Sequence, residues 1–199
     1  MLPADKVLGV AREYNVSVTE FLASVILYSL QEIYLEEKKK RRQLHSSIRI
    51  EVPVNLRKKF PSRTMRNFSL FVMPELDMRL GYYTFDEILK VVHHRLQSGS
   101  EIKQISRFLS SNVGYEKSIL VRILPLFIKK FAISSIYKSI GSKQCSGIIT
   151  NLGIIKLPAE MNKFIESFMI VPPPPNEKVK TTCGVVTFEN NMIMCFTNI

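Results

Sequence analysis

The sequence predicts an α/β protein: a layered mixed β-sheet with flanking helices. Three observations carry this. Residues 18–40 repeat apolar side chains at helical spacing behind a capping signal. Residues 47–54 alternate apolar and charged side chains with the period of a strand. The last third of the chain reads as short apolar strands, the final two separated by Glu189-Asn190-Asn191.

The elements follow in order. The first clear element is a helix from about Val18 to about Lys40. Ser17 and Glu20 have capping-box spacing: the hydroxyl takes an orphan backbone N–H, and the carboxylate reaches back. Val16 and Phe21 sit where a hydrophobic staple packs, and Leu22, Val25, Ile26 and Ile33 extend the apolar face. The run from Glu36 to Arg42 places acids before bases, which suits the negative end of the helix dipole. A nucleic-acid or nuclear-localisation patch is the sharper alternative for this run, and a solvated helix end is the expected reading. Ile48, Ile50, Val52 and Val54 mark one strand face, and Pro53 suits a strand end or edge. A basic loop leads to a second strand over 67–73. Thr84 and Glu87 repeat the capping spacing ahead of Phe85, Ile88, Leu89, Val92 and Leu96. Ser98-Gly99-Ser100 breaks that helix, and further helices are expected over 101–109 and 119–137, the latter split at Pro125. Strands are expected over 147–151, 164–171, 183–188 and 192–197. Pro172 to Pro175 is a polyproline linker.

Composition narrows the classes. A chain of 199 residues, 46% hydrophobic and 23% charged, can bury a sizeable core, and wholesale disorder is excluded. No composition break divides it, so residues 1–199 form a single domain or one lobe of a larger one. The net charge of +11 points to an anionic partner: nucleic acid, a membrane surface or a phosphate-bearing co-substrate. Cys145, Cys183 and Cys195 form no metal-ligand pair, and their odd number does not close a disulfide framework. They read as buried reduced thiols of a cytoplasmic protein. No signal peptide or transmembrane segment is expected; the most apolar long run, 119–140, carries Arg122, Lys129, Lys130 and Lys138. A P-loop, a dinucleotide fingerprint, a Gly-x-Ser-x-Gly elbow and a zinc motif are all missing.

Two separated stretches carry a resemblance. Pro53-Val54-Asn55-Leu56-Arg57 ends the first strand, Asn67-Phe68 opens the second, and Thr150-Asn151-Leu152-Gly153 follows an apolar strand far downstream. In this order they resemble the C-terminal half of the superfamily of alcohol acetyltransferases, peptide-synthetase condensation domains and chloramphenicol-acetyltransferase-like enzymes. Arg66 stands where many relatives have Gly. The absence of Trp and of an Asp-Phe-Gly-Trp-Gly motif places the resemblance with the alcohol acetyltransferase and condensation branch. What it implies is the C-terminal lobe of the CoA-dependent acyltransferase fold, the N-terminal catalytic lobe being absent. Whole enzymes of this type move an acyl group from a thioester to an alcohol or amine, with a His of the other lobe as general base. Acyl-CoA or a phosphopantetheine thioester would be co-substrate, with no tightly bound cofactor and no metal. Tunnel-lining candidates by this resemblance are Arg57, Asn67, Thr150, Asn151 and Gly153. Each also has a structural reading: Arg57 as a loop cation tying strand ends, and the Asn151–Gly153 turn as a backbone device.

No catalytic residue is assigned. His93-His94-Arg95-Leu96-Gln97-Ser98-Gly99 nearly copies the family's His-His-x-x-x-Asp-Gly, with Ser98 at the Asp position. The family motif lies on a loop, whereas these histidines interrupt a helical repeat. Neighbouring helical residues point about 100° apart, so His94 lies nearly opposite the apolar face and His93 at its edge. Both are expected as solvated helix residues. His45 sits in a polar loop. The isolated chain is therefore expected to be inactive. Its partners would be the missing lobe, another chain or a second copy, docking on an apolar face around 150–157 and 172–175. The alternatives are a non-catalytic interaction module or a basic nucleic-acid-binding protein. The basic residues lack interleaved aromatics, so nucleic acid is not the expected partner.

Overall fold

The computed structural model describes residues 1–40, 46–63, 65, 68–117, 123, 125–126, 128–130, 134, 145–175 and 179–198. Asn67, Arg66, Arg41, Arg42, His45 and most of the helix expected over 119–137 lie outside these residues. The described elements are β1 (Leu2–Pro3), α1 (Ala4–Glu13), α2 (Val18–Lys40), β2 (Ser47–Asn55), β3 (Ser69–Val72), β4 (Glu75–Asp77), α3 (Phe85–Gly99), α4 (Ile102–Lys117), β5 (Gly147–Ile155), α5 (Ala159–Asn162), β6 (Thr181–Phe188) and β7 (Asn191–Asn198).

These strands form one mixed seven-stranded sheet in the order β1-β7-β6-β5-β2-β3, with β4 also paired to β2. β5 runs parallel to both β2 and β6, and the remaining pairs are antiparallel. Parallel neighbours need long crossovers, and the α3–α4 region and the stretch holding α5 occupy them. The β6–β7 hairpin pairs residue for residue from Thr181–Asn198 to Phe188–Asn191, as the sequence predicts. Its turn holds Glu189 at φ 52.

The core lies between the sheet and the helices. Ile48, Ile50 and Val52 of β2, Ile149 of β5 and Cys183 and Val185 of β6 meet Leu22, Ile26 and Leu27 of α2 and Ile88, Val92 and Leu96 of α3. The alternation read from β2 thus selects its buried face. α2 is long and apolar enough to cross a membrane by length and composition alone. Here it is the central core helix, packed on β2 and α3. Its fully buried Gln31 donates to the Tyr83 carbonyl at 2.8 Å and accepts from the Tyr83 amide at 2.9 Å, completing the loop's backbone bonding with a side chain.

Both predicted capping boxes form. Glu20 accepts from the Ser17 amide at 2.6 Å and its own amide reaches the Ser17 hydroxyl at 3.3 Å. Thr84 and Glu87 do the same for α3. α3 ends at Gly99, where a Cβ would fall 2.7 Å from a Val72 methyl. Only a glycine lets the helix end sit this close to β3.

Several expectations are corrected. The strand expected over 67–73 is the shorter β3, followed by β4, which the sequence reading missed. The helix expected over 101–109 runs on to Lys117. Residues 164–171 form no strand. They continue from α5 as an extended strap across the sheet face opposite the helices. Phe168 packs edge-on against Phe188 at 5.0 Å, Ile170 packs on Gly184, and the Pro173 carbonyl accepts from Thr182 at 3.1 Å. The strap is apolar enough to read as a strand, but both edges of β6 are already taken by β5 and β7. Its Phe168 and Ile170 cover β6 face-on, which helps bury β6 on both sides.

Candidate functional site

The first candidate site sits where β2 and β5 stop pairing. β2 and β5 pair only at Ile50–Gly147 and Glu51–Ile148 and then part company. Counting on from that register, Asn55 stands level with Leu152. Arg57 follows the C-terminal end of β2, and residues 150–153 lie mid-way along the neighbouring β5, just past its last pair with β2.

Along β5 the register against β6 slips between Asn151–Val185 and Ile154–Thr187. Three steps of β5 oppose two of β6, which is a bulge of one residue. Gly153 takes φ 79 there. Asn151 holds the bulge from both ends of its amide. Its Oδ1 accepts from the Gly153 amide at 2.9 Å, and its Nδ2 donates to the Thr19 hydroxyl at 3.0 Å in the first turn of α2. Both ends of the side chain are committed, so its present role is to tie β5 to α2. Thr150 is half-buried beside it. The bulge presents Leu152 and Ile154 to solvent, 58% and 66% exposed. Arg57 is half-buried in a single 3-10 turn after β2, which Asn55 caps by accepting from the Arg57 amide at 3.0 Å. The Lys59 ammonium donates to the Ser100 carbonyl, so this turn is pinned to the end of α3. Asn67 lies outside the described residues; Thr150, Asn151 and Gly153 sit together on β5, and Arg57 follows the neighbouring strand β2.

The histidines are on a helix, as expected, and the solvated reading holds for His94. His93 is corrected: its Nδ1 lies 3.1 Å from Oε1 of Glu20. Glu20 is buried, and its other oxygen accepts from the Ser17 amide. A carboxylate accepting a backbone N–H is an acceptor towards the ring as well, so Nδ1 carries the hydrogen. The pair ties α2 to α3. His93 and His94 also border a cleft of about 370 Å3 with Tyr14, Val16 and Lys90. The capping spacing identified Glu20, but no local signal reveals a partner 73 positions away.

Other ionisable groups are structural. Arg49 bridges to Glu75 at 2.6 Å, joining β2 to β4, and this holds the Glu75 carboxyl below its ordinary value. Burial pushes the Cys145 and Cys183 thiols up to about 11, which leaves them protonated and unreactive. Among the described residues no cluster of His, Cys, Asp or Glu is arranged to hold a metal ion. A second, open groove of about 630 Å3 lies between β3 and the α3–α4 pair.

No family model and no curated protein matches the chain. Solved structures do. A crystal structure of vinorine synthase aligns over 98% of this chain and 42% of its own, with TM-score 0.53 and 9% identity. The wax ester synthase/diacylglycerol acyltransferase from Marinobacter aquaeolei VT8 aligns over 98% of this chain and 40% of its own, with TM-score 0.50 and 8% identity. The chain has the layered α/β fold of one part of these acyltransferases and spans about two fifths of their length.

Proposed function

We propose that this chain acts as the C-terminal lobe of an acyltransferase of the alcohol acetyltransferase or condensation type. In that role it forms one wall of the tunnel in which an acyl group passes from a CoA or phosphopantetheine thioester to an alcohol or amine. The observation that carries this is the alignment of nearly the whole chain with two fifths of two synthases. The placement of Thr150, Asn151 and Gly153 on β5 and of Arg57 just after the neighbouring β2 supports it. Arg57 would offer a guanidinium to a phosphate of the thioester, and the bulge would shape the wall. A proton acceptor and a substrate-binding partner surface would come from another lobe or chain. Leu152 and Ile154, solvent-facing on the bulge, fit such a docking surface.

Two measurements test this. The isolated chain, given acetyl-CoA and short alcohols, should release thiol no faster than the enzyme-free blank. Turnover that disappears in a His94→Ala variant would overturn both the role and the reading of the histidines. Light scattering over a concentration series should show self-association that Leu152→Ser with Ile154→Ser weakens, whereas a strictly monomeric chain counts against an unpartnered lobe.

A non-catalytic interaction module would leave the same apolar surface, and calorimetry with CoA separates the two: only the lobe binds it. Salt-dependent retention on DNA or RNA would instead favour a nucleic-acid role.

A further inference from the structure

We infer that the groove between β3 and the α3–α4 pair is a binding site for a small amphipathic anion. It is separate from the β2–β5 site discussed above and does not depend on the acyltransferase role. Its volume of about 630 Å3 lies within the range of small-molecule sites. Buried Ile105 lines its interior, and two solvent-facing aromatics, Phe71 (54% exposed) and Phe108 (52%), stand on the β3 and α4 sides. This is an apolar trough with aromatic walls, which suits an alkyl chain or a flat ring.

Its charge sets the class of ligand. Arg95 of α3 and Arg107 of α4 both line the groove and are exposed. The Glu75 carboxylate, which is not part of the lining, feels the charge of Arg95 but is already bonded to Arg49 at 2.6 Å. Among the described residues that line the groove, Arg95 and Arg107 are the only charged side chains, so its lining carries two positive charges and no carboxylate. A guanidinium presents paired N–H donors that match carboxylate and phosphate oxygens. The Gln104 amide adds a neutral donor on the same wall. The recognised chemistry is one anionic head on an apolar body.

The experiment is calorimetric titration of the full chain with octyl phosphate, octanoate and octanol. Both anions should bind at least roughly tenfold more tightly than octanol, as charge-assisted hydrogen bonds imply. Tighter octyl phosphate assigns a phosphate head, and tighter octanoate a carboxylate; either supports the site. Arg95→Ala with Arg107→Ala should remove the preference for anions and leave octanol binding unchanged. Charge reversal in Arg107→Glu, at an exposed position, should do the same without the second substitution. Phe108→Ala should weaken all three probes together. Equal binding of anions and octanol, an anion preference that survives the arginine variants, or no binding at millimolar probe would each overturn the inference.

Discussion

Glu20 joins three parts of the molecule, and its removal should be costly. The carboxylate accepts from the Ser17 amide at 2.6 Å and contacts His93 at 3.1 Å, while its residue's amide is held by Ser17. Its side chain is only 8% exposed. Loss of a helix cap costs about 1 kcal/mol. A hydrogen bond to a charged group contributes about 1.5–3 kcal/mol, and the His93 contact belongs at the low end because the ring is partly solvated. Glu20→Ala should therefore destabilise the fold by about 3 kcal/mol. Glu20→Gln, which keeps an acceptor but loses the charge, should cost about 1–2 kcal/mol. The assay is urea unfolding followed by circular dichroism, with the m-value checked for constancy. A double-mutant cycle with His93→Ala isolates the interhelical term, expected at about 1 kcal/mol. A Glu20→Ala cost below about 1 kcal/mol, or additive effects in the cycle, would refute the bridging role.

Gly184→Ala should destabilise by about 1–3 kcal/mol in thermal melts, because its Cβ would fall 2.9 Å from an Ile170 methyl and 3.2 Å from the Ile170 carbonyl. Ile170→Ala in the same chain should recover part of that loss, since it relieves the methyl contact; no recovery would show that the carbonyl alone sets the limit. The Asp77 carboxyl is held down to about 2, first by its hydrogen bond from the Arg79 side chain and then by the Arg79 amide. A depressed folded-state value stabilises above the unfolded value near 3.8, and this stabilisation is lost as pH falls from about 4 through about 2. In a carboxyl NMR titration Arg79→Ala should raise the Asp77 midpoint, and an unchanged midpoint would remove Arg79 as the cause. At pH 8 the native chain should alkylate slowly at Cys145 and Cys183, whose thiols are pushed up by burial, and fast at all three cysteines once unfolded. Native labelling of Cys183 at the unfolded rate would contradict its burial.

Local patterns made much of this protein legible in advance. The capping boxes at Ser17–Glu20 and Thr84–Glu87, the alternation of β2, the break at Gly99 and the final hairpin are all interactions between residues a few positions apart. Residue types and order state them directly. The resemblance between lobes was also local, resting on the Pro53–Arg57 and Thr150–Gly153 segments. What the sequence left undecided depends on which partner arrives first. The 164–171 stretch is apolar enough to read as a strand, yet it lies across β6 as a cover because β5 and β7 already occupy both edges. Asn151 resembles a tunnel residue in sequence, but in the fold its amide is consumed by Gly153 and Thr19. His93 reads as solvated on a helical wheel, since a wheel cannot show that the first turn of α2 crosses beside it and brings Glu20 to 3.1 Å. Sequence period determines which face of an element is apolar; only the packed tertiary structure decides what that face, and the polar groups at its rim, will meet.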